Sequence, residues 1–236
     1  MKQKPDYTIH SFPKSRLATI DTGALGLQKQ HVVALLEVDV TLARIKIKHY
    51  KKNVGRISFS AWLVKTISHS LTDTPAIAAF YGGNSKILTF TDINVSFLVE
   101  KEVDGQKVPF PLVIEKANER SLESITLQIY EAKNLAINSN DVVLQRKTTQ
   151  MERYYYLLPG NLRRLVWRIL LKNPSLIYRK MGNVSVTSLG IAGKISGWFI
   201  PISIHPVCFG IGSVIKKPVV VGDCIEIREI DRKSVV

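Results

Sequence analysis

The chain of 236 residues is long enough to form one large domain or two small ones around a sizeable hydrophobic core. Its hydrophobic content of 45% and charged content of 22% are typical of a globular protein and exclude a chain that is disordered over most of its length. The net charge of +14 favours solubility and is also compatible with an anionic partner, such as a nucleic acid, an anionic membrane surface or a phosphorylated ligand.

The distribution of the charges argues against nucleic acid. Lysines and arginines are scattered instead of interleaved with aromatic residues, and no nucleic-acid-binding signature occurs. Cys208 and Cys224 have no metal-ligand spacing and cannot form a disulfide framework in a chain of this size, so we expect no metal and a reducing, cytoplasmic setting. Residues 1–6 are polar and lack the apolar core of a signal peptide. The apolar run 197–215 contains prolines and glycines, so it is interpreted as loop and strand rather than as a membrane span.

The first predicted elements follow an irregular N-terminus. We interpret residues 1–30 as an extension that packs on a single domain spanning residues 31–236. Residues 31–40 are apolar and largely β-branched, which predicts a strand, and Thr41 is predicted to cap the helix that follows.

A second helix is predicted from the capping residue Ser58 to the stop signal Pro75. Apolar residues at helical spacing share one face of it, which predicts the core-facing side: Phe59, Trp62, Leu63, Ile67 and Leu71.

The middle of the chain alternates strands with a helix. Residues 86–99 predict two strands, and residues 103–106 predict a turn. The prolines in 109–114 favour an edge strand, because proline cannot donate a ladder hydrogen bond. Ser121 is predicted to cap the next helix.

Residues 145–182 form a basic insertion with a strongly apolar helix after Pro159 and Gly160. Basic residues and a tryptophan suit a helix that lies on a membrane surface. The alternative is a packing helix at a subunit interface. We favour packing, because the apolar residues are not confined to one clean face, and we therefore expect no membrane contact.

The last predicted elements are strands over residues 184–188 and 209–215, followed by a hairpin whose turn is Gly222-Asp223. Strands and helices alternate irregularly, with hairpins as well as helical crossovers. This order favours an α/β fold, a two-layer sandwich with a mixed β-sheet, over a doubly wound parallel sheet.

Thr187 and Ser188 are the candidate catalytic residues. They are adjacent hydroxyls at the predicted end of a strand, before a glycine-containing loop, where a hydroxyl can donate a hydrogen bond to a reacting carbonyl. Hydroxyl pairs at strand ends are also common without any chemistry attached to them.

The order of these elements resembles the catalytic domain of the acyltransferase component of 2-oxo acid dehydrogenase complexes, which shares its fold with chloramphenicol acetyltransferase. The segments that carry the resemblance are collinear, and each of them alone is a weak signal. They are residues 36–41, 57–74, 92–95, 108–114, 121–122, 187–190, 199–202 and 222–223. The resemblance covers nearly the whole chain, and the insertion at 145–182 is similar to a stand-alone branch of the family.

The resemblance implies an acyltransferase that moves an acyl group between coenzyme A and a dihydrolipoyl-type thiol. It implies that Thr187 stabilises the tetrahedral oxyanion, with Ser188 as its neighbour and backup. It also implies that Arg16 supports the aspartate of the family's base motif. A homotrimer with active sites between neighbouring subunits is expected, and the basic surface suits the phosphates of coenzyme A. Multidomain members carry a lipoyl attachment domain and a subunit-binding domain. Neither is expected here, so the acceptor would be a lipoyl protein in trans.

The family's general base is the histidine of a His-x-x-x-Asp-Gly motif, which does not occur in the 236 residues. His69 has Asp73 four residues later but Thr74 in place of the glycine, and His205 has Phe209 in place of the aspartate. We expect the histidines to be surface or half-buried residues. Two interpretations follow: a C-terminally shortened form of an active acyltransferase, or a catalytically inactive member that acts as a scaffold or binds coenzyme A.

Overall fold

The computed structural model describes residues 17–103, 106–134, 154–155, 157–188 and 197–236. The helices are α1 (Leu17–Gly26), α2 (Thr41–Asn53), α3 (Phe59–Ser70), α4 (Leu122–Asn134), α5 (Gly160–Leu171) and α6 (Pro174–Met181). The strands are β1 (Ala34–Asp39), β2 (Phe80–Tyr81), β3 (Ile87–Leu88), β4 (Val95–Val103), β5 (Gln106–Ile114), β6 (Val184–Ser188), β7 (Val207–Val221) and β8 (Cys224–Val235).

Over the described residues, the main sheet has six strands in the order β1-β8-β7-β6-β4-β5. The central strand β6 pairs in parallel with both β4 and β7, and the outer pairs are antiparallel. Strands β2 and β3 form a separate two-stranded ribbon. The mixed sheet, with helices α3 and α4 packed against it, confirms the predicted α/β sandwich.

Helix α3 forms where the local signals predict it. The Ser58 side chain accepts a hydrogen bond from the backbone of Ala61 at 3.0 Å, which satisfies one of the free amides of the first turn. Leu63 and Ile67 are buried in the core that α3 shares with α4 and with strands β4 to β6. Burial of each such side chain contributes about 1.5–3 kcal/mol, so the amphipathic pattern fixes which side of the helix meets the sheet.

The predicted cap of α2 is wrong in one detail. The helix begins at Thr41 itself, and its N-cap is Val40, whose side chain makes no capping bond. Asp39 supplies the missing acceptor, because its Oδ1 receives the Thr41 amide at 2.9 Å and the Thr41 hydroxyl at 2.6 Å. A carboxylate two residues earlier therefore replaces the predicted hydroxyl cap.

The proline-containing strand β5 lies at the edge of the sheet, as predicted. Pro109 pairs with Glu100 and Pro111 pairs with Leu98, on the one side of β5 that has a neighbouring strand. At the other end of the chain, Val221 pairs with Cys224 across the predicted turn. Gly222 in that turn has a φ of +59°, which a glycine adopts without steric cost.

Helix α5, in the basic insertion, is attached to α1 by a buried polar cluster. Asp21 is 2% exposed, and its Oδ2 accepts hydrogen bonds from Tyr155 and from Arg163, both at 2.7 Å. The indole of Trp167 donates to the Tyr155 oxygen at 2.9 Å. Burial, followed by the bond to Asp21, raises the pKa of Tyr155, which keeps the phenol neutral and able to donate. We refer to these four residues as the Asp21 cluster.

No helix within the described ranges combines the length and the apolar composition that crossing a bilayer requires. The division into an N-terminal extension, a domain and an insertion stays a prediction.

Candidate functional site

Thr187 and Ser188 are the last two residues of β6, and both are half-buried. Because β6 lies between two parallel neighbours, its carboxyl end opens at the middle of the sheet, where parallel strands commonly present ligand-binding residues. The predicted glycine loop after Ser188 lies outside the described residues up to position 196, and so does Arg16. The role of Arg16 stays a prediction.

The two hydroxyls belong to opposite faces of the sheet. Thr187 pairs with Gly210 of β7, and Ser188 pairs with Ile211, which is part of the hydrophobic core. Successive side chains of a strand point to opposite faces, so Ser188 lies on the helix-covered face and Thr187 on the other. Only one of the two hydroxyls can therefore donate to a given oxyanion. Thr187 is the better candidate, because it lies on the face away from the hydrophobic core.

The row that contains Thr187 continues through Gly210 to Ser234 of β8. Gly210 has no room for a side chain, since a Cβ there would lie 2.3 Å from the Ser234 Oγ and 3.1 Å from the Phe199 ring. The Ser234 hydroxyl donates to the Phe199 carbonyl at 2.6 Å. The segment 197–206 therefore crosses this face of the sheet beside the row of Thr187.

A buried polar network lies behind this row. Cys208 is two residues before Gly210, on the same face, and it pairs with Ser185 of β6. Burial raises the pKa of the Cys208 thiol, and hydrogen bonds to Ser185 and Ser203 oppose that shift only in part. Cys208 is 2% exposed, so its thiol is packed inside this network and does not face solvent.

His205 is buried, whereas a surface or half-buried histidine was predicted. Its Nδ1 lies 2.9 Å from the Ser203 Oγ and its Nε2 lies 3.0 Å from the Met181 carbonyl, which assigns the proton to Nε2 and the acceptor role to Nδ1. Burial lowers the pKa of His205 to about 4. With both nitrogens bonded inside the protein, His205 supports the 197–206 segment and is not placed to accept a substrate proton. His31, His49 and His69 are exposed, and His10 lies outside the described residues.

On the helix-covered face, β8 carries a buried ion pair. The Lys233 Nζ lies 2.6 Å from the Asp231 Oδ2, and Asp231 is fully buried. The other carboxylate oxygen of Asp231 has no hydrogen-bond partner within the described structure. Burial raises the pKa of Asp231, and Lys233 opposes that shift. Sequence reasoning missed this pair, although the i, i+2 spacing of opposite charges on a strand was a visible signal.

A separate shallow cavity of about 380 Å³ lies between residues 51–60, which lead from α2 into α3, and helix α4. Three basic side chains line it, from Lys51, Arg56 and Lys133, together with the hydroxyls of Ser58 and Thr126. None of its lining residues belongs to β6 or to the 197–206 segment. The cavity suits an anion, but it is not part of the Thr187 site.

Sequence and structure comparisons place these observations among known proteins. A model of the 2-oxoacid dehydrogenases acyltransferase (catalytic domain) family matches residues 26–142. A search of curated protein sequences returned no significant match.

Several solved structures share the fold. A probable dihydrolipoamide acetyltransferase from Listeria monocytogenes has a TM-score of 0.62 and 20% identity, over 98% of this chain and 84% of that one. A dihydrolipoamide acetyltransferase from Azotobacter vinelandii has a TM-score of 0.66 and 14% identity, over 100% of this chain and 87% of that one. The cubic core of a pyruvate dehydrogenase multienzyme complex has a TM-score of 0.65 and 16% identity, again over 100% and 87%. At these identities the likeness shows a common fold.

Proposed function

We propose that this chain, which belongs to the family of 2-oxoacid dehydrogenase acyltransferase catalytic domains, transfers an acyl group between coenzyme A and a dihydrolipoyl-type thiol. The observation that carries the proposal is the position of Thr187. It is a half-buried hydroxyl at the carboxyl end of the central parallel strand, on the side of the sheet away from the core.

The proposed role of Thr187 is to donate its hydroxyl hydrogen to the oxyanion of the tetrahedral intermediate. An attacking thiolate adds to the thioester carbonyl, and the carbonyl oxygen gains a negative charge that a fixed donor stabilises. Collapse of the intermediate then expels the other thiolate, so the acyl group moves from one sulfur to the other. Loss of one such donor typically lowers the rate by about a hundredfold or more.

The test compares Thr187→Val with Thr187→Ser and Ser188→Ala, using acetyl-coenzyme A and dihydrolipoamide. Valine keeps the shape and the strand preference of threonine but removes the donor, whereas serine keeps the donor. Ser188→Ala is the matched control, because Ser188 lies on the opposite face. We expect a loss of about a hundredfold in kcat/KM for Thr187→Val, and little loss for Thr187→Ser and Ser188→Ala.

The assay is run from pH 7 to pH 9. The thiolate fraction of the acceptor rises with pH and is the same for every variant at a given pH, so the comparison of the hydroxyls does not depend on which group supplies the base. Equal rates for wild type and Thr187→Val across this range would remove the oxyanion role. A loss for Ser188→Ala and not for Thr187→Val would assign that role to Ser188 instead.

The same experiment separates acyl transfer from coenzyme A binding by an inactive scaffold, which we keep as the alternative. The burial of His205, with both ring nitrogens bonded, favours this alternative because it removes one candidate base. Titration calorimetry with acetyl-coenzyme A, done beside the transfer assay, distinguishes the two. Binding of acetyl-coenzyme A without thiol release at any pH supports the scaffold. A separate variant, Lys51→Ala with Arg56→Ala, tests whether the basic cavity binds the phosphates of coenzyme A.

We further propose a homotrimer that acts on a lipoyl protein in trans. Family membership and the fold shared with dihydrolipoamide acetyltransferase cores support this assembly. Light scattering of the purified chain tests it, and a monomer at all concentrations would contradict it.

A further inference from the structure

Helix α5 presents an apolar stripe to solvent. Leu162, Leu165 and Ile169 are 43%, 47% and 61% exposed. Their spacing of three and four residues places them along one side of the helix, within about 60° of each other around its axis. The sequence alone indicates no clean apolar face on α5. In the structure the helix has two distinct sides, one that faces α1 and one that faces outward.

The outward stripe is not needed to hold the helix in the fold. The opposite side of α5 carries Arg163 and Trp167, and both belong to the Asp21 cluster. Trp167 thus points inward, so the tryptophan that the sequence suggested for a membrane interface serves packing instead. Leu162, Leu165 and Ile169 remain as an apolar surface on a helix that is fixed from behind.

Basic side chains flank this stripe. Arg168 of α5 and Lys172, the residue that follows its end, are exposed, and so are Arg179 and Lys180 of the adjoining helix α6. The sequence between residues 153 and 222 contains ten lysines and arginines and no aspartate or glutamate. Asp21, the carboxylate that bonds to Arg163, is buried beneath α5.

The positive charge around the stripe favours an anionic membrane over a second copy of the chain as the binding partner. If two copies met by this face across a two-fold axis, the cations of one copy would be brought near the cations of the other, because a two-fold contact uses one surface twice. A bilayer with anionic headgroups matches both features, since headgroups attract the cations and the acyl boundary accepts leucine and isoleucine.

We propose that the outward face of α5, with the exposed cations of α6, binds the surface of a membrane that carries anionic lipids. This contact is independent of the acyltransferase site, and neither proposal requires the other. It would hold the protein against an anionic membrane surface.

The charge component is tested by co-sedimentation of the 236-residue chain with vesicles of phosphatidylcholine, with and without 30% phosphatidylserine. We expect binding to require phosphatidylserine and to weaken as the salt concentration rises, because headgroup attraction is screened beyond the Debye length. Arg168→Ala with Lys172→Ala should weaken binding by about thirtyfold, at about fivefold per basic residue. The matched control is Lys46→Ala with Lys48→Ala on α2, which removes the same charge from exposed positions elsewhere.

The apolar component is tested by Leu165→Ser with Ile169→Ser, which should weaken binding roughly tenfold. The control is Ile225→Ser with Ile227→Ser, since these side chains on the β7–β8 hairpin are 76% and 75% exposed. Equal losses for test and control pairs would overturn the proposal, as would equal binding to both vesicle types. Light scattering that shows an oligomer dissociated by Leu165→Ser with Ile169→Ser would assign the face to a second copy instead.

Discussion

Two buried carboxylates of this protein are satisfied in different ways. Asp231 lies inside the main sheet and pairs with Lys233, two residues later on the same strand, while its Oδ1 has no partner within the described structure. Asp21 lies between two helices, and both Tyr155 and Arg163 donate to its Oδ2. The partners of Asp21 come from more than a hundred residues further along the chain.

The difference separates a local ion pair from a tertiary one. Both residues of the Asp231–Lys233 pair lie on β8, so the pair does not connect separate elements. Because two charges lose their hydration to form it, it contributes little net stability. The Asp21 cluster holds α5 against α1, and thereby fixes which side of α5 faces outward. The Asp231–Lys233 pair therefore affects stability mainly when one partner is removed. The Asp21 cluster instead determines which side chains of α5 are exposed.

The largest effect on stability is expected from replacing one partner of the Asp231–Lys233 pair. Lys233→Met should lower the free energy of unfolding by about 3–5 kcal/mol, because it leaves Asp231 buried without its counter-charge. Asp231→Leu combined with Lys233→Met should recover most of that loss, because no charge then remains in the sheet. Urea denaturation followed by circular dichroism measures both variants. Equal losses for the single and the double variant would show that the pair itself stabilises the sheet.

His205 is a third buried titratable group, and its burial makes the free energy of unfolding depend on pH. Its pKa is about 4 in the folded protein against an ordinary value of 6.5. As pH falls from 6.5 to 4, the unfolded chain takes up the proton and the folded protein does not, so stability decreases. The full shift corresponds to about 3 kcal/mol, present above pH 6.5 and lost towards pH 4.

His205→Gln provides the control, because glutamine keeps an amide donor for the Met181 carbonyl but does not titrate. Urea denaturation at pH 7 and pH 4 should show a drop in the free energy of unfolding that is about 3 kcal/mol smaller in this variant than in wild type. The same drop in both proteins would mean that His205 is accessible to protons in the folded state.

The smallest effect is expected from the Asp21 cluster, and it should be local. Asp21→Asn weakens two charge-assisted hydrogen bonds and should cost about 1.5–3 kcal/mol of local stability. Hydrogen exchange should therefore accelerate in α1 and α5 while the amides of β6 and β7 stay protected. Trp167→Phe removes one neutral donor and should cost about 1 kcal/mol. An effect of Asp21→Asn spread over the whole sheet would show that α1 and α5 unfold together with the core.

Elements with strong local signals were predicted correctly from the sequence. Ser58 and Ser121 both cap helices through bonds to the amide three residues later. Strand β6 has the predicted bounds, Val184–Ser188. Strand β7 joins the predicted strand 209–215 and the first arm of the predicted hairpin into one strand, because its pairing with β8 continues through residues 216–218, where the apolar pattern is interrupted.

The candidate site was predicted in part. The position of Thr187 and Ser188 at a strand end is confirmed, and strand alternation alone already implies that they face opposite sides. Their catalytic role stays a prediction. The neighbours of Cys208 and His205 were not predictable, because Ser185, Ser203 and Met181 meet them only through strand pairing and loop packing.

The sequence by itself determined the order of most helices and strands after residue 30, the mixed α/β class and the resemblance to a family, because caps, prolines, glycine turns and apolar periodicity act within a few residues. It did not predict helix α1, which lies in the stretch that was expected to be irregular. Only the tertiary structure decided which face of the sheet Thr187 occupies, why Gly210 has no room for a side chain, and which side of α5 is exposed. Those features depend on strand register and on contacts such as Asp21–Arg163, which join residues far apart in the chain.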